Sequence, residues 1–196
     1  MLRDALERLR ACPDSLEWVG ERTDPVEAWA ECPDGTWLAW VLVRTARTDT
    51  ERREALGVVC DVVRELAPPR DPASERALSL TEAWCRGEAV TQGALSDAAY
   101  AALDAAYVAF CAADAGNTTA EAYAARAAAH VARAAADTDA YVRAVAARAI
   151  SYASADAVAA YSSTGAAAAN YAAADAIRRR LPTPPVWVLA ACEVRP

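Results

Sequence analysis

Apolar residues recur every three or four positions along most of the chain, which is the period of a helix with one buried face. Leu2, Leu6 and Leu9 form the first such stripe, and a long helix is predicted from about Leu95 to Asp114. We find no pair of alternating strand-like runs joined by a hairpin turn. The pattern predicts an all-α fold, either an Ala-rich multi-helix bundle or a short solenoid-like stack of helical hairpins.

Local capping signals mark several helix boundaries. Asp24-Pro25 and Asp71-Pro72 each place an N-cap acid before a proline at the first helical position, and Gly87 predicts a helix end. Thr118 and Glu121 have the spacing of a capping box. These signals predict where helices start and stop without any information on how they pack.

The length suits a single all-α domain over residues 1–181, with a Trp-rich part at about 1–90 and an Ala/Tyr-rich part at about 91–181. The run "PTPP" cannot continue a helix, so residues 182–196 are predicted to form a separate tail, either an extended strand or one docked helical turn. The large aromatic residues predicted to fill the core are Trp18, Trp29, Trp37, Trp40, Trp84, Tyr100 and Tyr107. The four tryptophans nearest the N-terminus also fit an aromatic binding pocket, although a core role is the simpler interpretation.

The charge of the chain bears on its partners. Every cationic side chain is arginine, and the formal net charge is −7. An acidic chain is poorly suited to binding nucleic acid through phosphates, whereas it can attract a basic protein or simply remain dissolved. Residues 1–34 hold nine acids against four arginines. The acids in this part that we predict as partner-binding candidates are Glu17, Glu21, Asp24, Glu27, Glu31 and Asp34.

The cellular location is predicted from the cysteines and the N-terminus. The six cysteines are scattered without CxxC spacing, which favours reduced thiols in the cytoplasm. The charged start "MLRDALERLR" is not typical of a signal peptide, and no apolar run reaches membrane-spanning length.

Catalytic chemistry has little support in the sequence. The only histidine, His130, lies among alanines and is interpreted as structural, and the chain has no lysine for a Schiff base or a Walker motif. Cofactor-binding and metal-ligating patterns are not found, so none of these sites is predicted. The acid pairs Asp97/Asp104 and Asp137/Asp139 fit acid–base chemistry, but solvated helix faces and caps explain them more simply.

One stretch resembles a known family. The segment from Leu9 to Arg44 resembles the opening of a family of immunity proteins from bacterial polymorphic toxin systems, also carried by phages. The positions that carry this resemblance are Cys12, Trp18, Gly20, Trp29, Gly35, Trp37, Leu38 and Trp40.

The resemblance implies a non-enzymatic, cytoplasmic protein that binds and neutralises a cognate toxin. Two alternatives remain open. One is an α-helical scaffold for other protein partners, including a phage counter-defence factor, and the other is an enzyme with an unrecognised acid-based site. The oligomeric state is left open.

Overall fold

The computed structural model describes residues 2–111, 119–136, 148–153, 155 and 165–192, and it confirms the all-α fold. Every regular element within those residues is a helix. The helices are α1 (Leu2–Arg8), α2 (Pro13–Val19), α3 (Pro25–Glu31), α4 (Gly35–Thr45), α5 (Asp49–Leu66), α6 (Pro72–Cys85), α7 (Gln92–Cys111), α8 (Thr119–Ala136), α9 (148–153 and 155), α10 (Gly165–Arg180) and α11 (Val186–Cys192).

The predicted N-caps form as expected. The Asp24 carboxylate accepts a hydrogen bond from the backbone N–H of Val26 at 2.7 Å. The Asp71 carboxylate accepts from the backbone N–H groups of Ala73 and Ser74, each at 2.9 Å. Both acids therefore satisfy donors that the first helical turn leaves unpaired. Thr118 of the predicted capping box and the acid pair Asp137/Asp139 lie outside the described residues.

The helices form a bundle around α5, which packs against α4, α6, α8 and α10. In turn, α8 packs against α5, α6 and α7, so contacts extend well beyond consecutive helices. A solenoid limits each unit to its neighbours, and the bundle is therefore the better description. The largest fully buried apolar side chains are Leu42, Leu56, Leu78, Leu95, Ile150 and Ile177.

The junction between α4 and α10 is very close. A Cβ added to Gly35, the first residue of α4, would lie 2.5 Å from the Cβ of Ala173. Two hydrogen bonds cross beside it: the Asn170 amide donates to the Asp34 carboxylate at 3.3 Å, and Arg178 donates to the Cys32 carbonyl at 2.6 Å. Only a glycine at this position permits such an approach of two backbones.

Residues 186–192 form the docked helix α11 and not an extended strand. This helix packs against α4 and α1. Val188 and Cys192 are buried, and the indole N–H of Trp187 donates to the Leu42 carbonyl at 3.4 Å. As a result, α11 forms part of the wall of the N-terminal half.

Candidate functional site

Four tryptophans surround a cavity of about 350 Å³ that is lined by residues of α1 to α4 and α11. Trp29 is buried, and its indole N–H donates to the Leu181 carbonyl at 3.0 Å. Trp18, Trp37 and Trp40 are half-buried and pack against the core. The rings of Trp18 and Trp37 lie 6.1 Å apart, tilted by 50°. Trp29 thus belongs to the core, the other three tryptophans pack against it, and all four line the cavity.

The lining of this cavity is mainly apolar. Leucine, valine, alanine and proline side chains complete the walls, and the polar lining residues are Arg10, Ser15, Thr36 and three cysteines. The Ser15 hydroxyl is already committed, because it donates to the Cys12 carbonyl at 2.8 Å. Burial raises the pKa of the Cys32 thiol to about 11, so this thiol stays neutral. None of the described residues that line the cavity is an acid or a histidine, so the cavity suits binding an apolar body rather than acid–base chemistry.

The six predicted partner-binding acids lie between α2 and the start of α4. Glu17, Glu21 and Glu27 are exposed. Glu31 is also exposed and lies 3.5 Å from the Arg22 guanidinium.

The two aspartates of that set are helix caps. Asp24 caps α3 while remaining exposed. Asp34 is half-buried, and its carboxylate accepts hydrogen bonds from the backbone N–H groups of Thr36 and Trp37 at 2.7 and 3.3 Å. Both carboxylates hold helix starts in place, so Asp34 in particular offers little to a partner.

The predicted core roles of Tyr100 and Tyr107 are wrong. Their side chains are 60% and 68% exposed. Helix α7 instead buries a face of small residues with one leucine, made of Leu95, Ala98, Ala99, Ala102 and Ala106. The neighbouring α8 also buries mainly alanine, and two such faces approach closely only if neither carries a ring. The tyrosines are therefore turned to the opposite side of α7.

The exposed side of α7 combines aromatic rings with carboxylates. Asp97, Tyr100, Asp104, Tyr107 and Cys111 are exposed and follow spacings of three and four residues, which place them on one helical face. Two exposed apolar residues extend this face, Val108 at 65% and Phe110 at 60% exposure. We call these seven residues the α7 stripe. Helix α7 contains no arginine or histidine, so the two aspartates of the stripe are not compensated by a cation on the same helix.

His130 lies in a separate aromatic stack. Its ring is parallel to that of Tyr152, with the ring centroids 5.2 Å apart. The ring of Tyr123 also stacks on Tyr152, at a centroid distance of 6.1 Å. The Nδ1 atom of His130 is buried without a hydrogen-bond partner among the described residues. A catalytic triad orients its histidine through a carboxylate at this nitrogen, and none of the residues that the structure describes supplies one.

The surroundings of His130 also disfavour its charged form. Burial is the main cause that lowers the pKa of His130 to about 4, and the positive charges of Arg148, Arg133 and Arg126 add to it. The imidazole is neutral at physiological pH, as expected of a packing residue.

Comparison with known proteins leaves the family open. No family model, curated protein or solved structure matches this chain. The resemblance of residues 9–44 to immunity proteins therefore remains a prediction.

Two further properties limit the kinds of site to be considered. Among the residues that the structure describes, no group of three or more His, Cys, Asp or Glu side chains is arranged to hold a metal ion. Within the same residues, no helix is long and apolar enough to cross a membrane. The remaining candidates are the tryptophan cavity and the α7 stripe.

Proposed function

We propose that this chain is a non-enzymatic immunity protein that binds and neutralises a cognate bacterial toxin, and that the α7 stripe is its contact surface. The observation that supports this proposal most directly is the exposure of Tyr100, Tyr107, Val108 and Phe110 on a single helix. Large exposed apolar patches on a folded protein typically mark interaction surfaces.

The size of the patch suits the centre of a protein interface. With three rings exposed to about 60–68%, the aromatic residues offer on the order of 400 Å² of accessible surface. A standard interface buries about 800 Å² on each partner, with an apolar centre and a polar rim. The stripe would supply such a centre, and tyrosine is among the residues most often found to dominate binding energy.

Charge indicates the chemistry of the partner. Asp97 and Asp104 alternate with the tyrosines, and the helix carries no compensating cation. The chain as a whole has a net charge of −7. These charges favour a partner with a basic surface around an apolar depression, because complementary potentials speed association and disfavour other partners.

The immunity role itself rests on the resemblance of residues 9–44, and neutralising a toxin requires only a complementary surface. All six cysteines are free thiols, which supports a reducing compartment such as the cytoplasm. The tryptophans and glycines that carry the resemblance belong to the scaffold, so the contact surface has to be sought elsewhere in the fold.

The test uses the product of the adjacent gene as the candidate toxin. We expect the Tyr100→Ser/Tyr107→Ser variant to lose at least about a hundredfold in affinity for this toxin and to stop protecting toxin-expressing cells. Its melting temperature should be nearly unchanged, since both rings are exposed. Tyr171→Ser is the matched control, because Tyr171 is a 53% exposed tyrosine on α10.

Two results would contradict the proposal in different ways. Full protection by the folded double variant would refute the α7 stripe as the contact surface. Failure of the unmodified protein to bind or protect against the adjacent gene product would refute the immunity role and favour a scaffold for other partners.

A further inference from the structure

We infer that the tryptophan cavity is a binding site for a small amphiphile with an apolar body and a single carboxylate, such as a medium-chain fatty acid. The cavity shares no residue with the α7 stripe. This inference is therefore independent of the proposed function.

The dimensions of the cavity fit a ligand of this class. Its volume of about 350 Å³ lies at the lower end of the range for small-molecule pockets. At about 30 Å³ for each water-sized group, it has room for roughly a dozen non-hydrogen atoms, which corresponds to a carboxylate of about ten carbons. Tryptophan, leucine and valine walls favour methylene groups over water.

The walls are held in place by contacts outside the cavity. Trp29 is fixed by its hydrogen bond to the Leu181 carbonyl. The Arg22 guanidinium lies 4.4 Å from the centre of the Trp18 ring and covers it. Helix α11 contributes Val188 and Cys192 to the lining and is anchored through Trp187. A cavity with such supports is largely formed before a ligand arrives, so binding needs little free energy to order the side chains of the walls.

Arg10 supplies the charge that selects a carboxylate. It follows α1 with a φ of 65°, and it is the only non-glycine residue with positive φ in the described part of the chain. Backbone hydrogen bonds from Arg10 N to the Glu7 carbonyl at 2.9 Å and from Ala11 N to the Leu6 carbonyl at 3.0 Å hold this conformation. These two bonds form a Schellman cap, so the positive φ ends α1 and fixes the point at which the Arg10 side chain leaves the backbone.

Arg10 is a solvent-exposed residue that lines the cavity, and its side chain makes no ion pair or hydrogen bond with any described residue. The other polar residues in the described part of the lining are neutral serine, threonine or cysteine. An unpaired guanidinium beside an apolar cavity can form a charge-assisted, bidentate pair with a carboxylate. The same guanidinium would repel an ammonium group and would bind an alcohol much less strongly than a carboxylate.

The first experiment measures ligand selectivity by tryptophan fluorescence at neutral pH, since four of the six tryptophans line the cavity. Decanoate, decanol and decylammonium are titrated below the concentrations at which they aggregate. We expect saturable binding of decanoate, about tenfold weaker binding of decanol, and still weaker binding of decylammonium. Equal or tighter binding of decylammonium, or no saturable binding of decanoate, would overturn the inference.

The second experiment tests Arg10 directly. The Arg10→Gln variant should bind decanoate about tenfold more weakly while its affinity for decanol stays within about twofold. Arg76→Gln removes the same charge from an exposed position on α6 that does not line the cavity, and it should leave both affinities unchanged. A parallel loss of decanol binding in Arg10→Gln, or an equal loss of decanoate binding in Arg76→Gln, would contradict the role of Arg10.

The third experiment fills the cavity. Ala28 is a buried lining residue on α3, and an Ala28→Phe side chain should occupy the space and abolish binding of decanoate and decanol. Circular dichroism establishes that the variant folds, and Thr36→Phe, at another lining position, serves if it does not. A folded, filled variant that still binds decanoate with unchanged affinity would place the ligand elsewhere and refute the site.

Discussion

Replacing Gly35 by alanine tests the closest contact in the fold. The added Cβ would lie 2.5 Å from the Ala173 Cβ and 2.7 Å from both the Ala173 carbonyl carbon and the Ala174 nitrogen. Carbon atoms in contact are normally about 3.5–4.0 Å apart. Two of these three neighbours are backbone atoms, which cannot rotate away, so α4 and α10 must separate by about 1 Å.

The expected cost follows from three effects at this junction. Overpacking a close helix contact costs about 1–3 kcal/mol. Separation also weakens the hydrogen bonds from Asn170 to Asp34 and from Arg178 to the Cys32 carbonyl, each worth about 1 kcal/mol. The better helix propensity of alanine offsets at most about 1 kcal/mol of this loss in the free energy of unfolding. We therefore expect the free energy of unfolding to fall by about 2–3 kcal/mol.

The assay is urea unfolding followed by circular dichroism at the helix band and by tryptophan fluorescence. Gly57→Ala and Gly93→Ala are matched controls, because their added Cβ atoms meet their nearest neighbours only at 3.8 and 4.0 Å. Both controls should be neutral or stabilising by up to about 1 kcal/mol. A Gly35→Ala protein as stable as either control would refute the close approach of α4 and α10.

A second substitution sharpens the same test. Ala173→Gly in the Gly35→Ala background removes one of the three short contacts and leaves the two with backbone atoms. We therefore expect only partial recovery of the lost stability, with a non-additive coupling between the two sites. Full additivity would show that the two residues do not touch.

Three further predictions concern single side chains. The ring protons of His130 should titrate near pH 4 in an NMR experiment. Because the pKa of an unfolded histidine is about 6.5, the free energy of unfolding should fall as pH drops from about 6.5 to 4. The fall should be smaller in His130→Gln, which lacks the titrating group. Trp29→Phe removes the hydrogen bond to the Leu181 carbonyl and should lower the free energy of unfolding by about 1–3 kcal/mol in urea titrations. Arg64→Gln removes the main cause that lowers the Glu75 pKa. In the wild type, the stability from this pair is lost as pH falls through the depressed Glu75 pKa, so the stability of the variant should depend less on pH in the acid range. At neutral pH the variant should lose only about 1 kcal/mol in the free energy of unfolding, because the pair is partly exposed.

The helix boundaries are the part of this fold that the sequence determines by itself. Asp24 and Asp71 cap helices because their carboxylates reach backbone N–H groups two or three residues ahead. Gly87 adopts a φ of 85° just after α6, where a side chain would be strained. Each of these outcomes depends on neighbours within a single turn, so no knowledge of packing is required.

The direction in which a helix faces is decided only in the tertiary structure. The spacing of Tyr100 and Tyr107 correctly places them on one side of α7, yet that side is exposed. Hydrophobicity favours burying the rings, whereas the Ala-rich surface of α8 accepts only a face of small side chains at close range. Periodicity identifies the two faces of a helix but carries no information on the shape of the surface it meets.

The cavity and the Gly35 contact likewise require the assembled fold. Trp29 bonds to Leu181, 152 positions away, and Gly35 touches Ala173 across a similar span. In the sequence, nothing marks Gly35 as a packing contact, and the tryptophans fit a binding pocket as well as a core, although the core is the simpler interpretation. The roles of Gly35 and of the tryptophans depend on how distant helices pack against them. Packing complementarity is a property of two surfaces together and not of either segment alone.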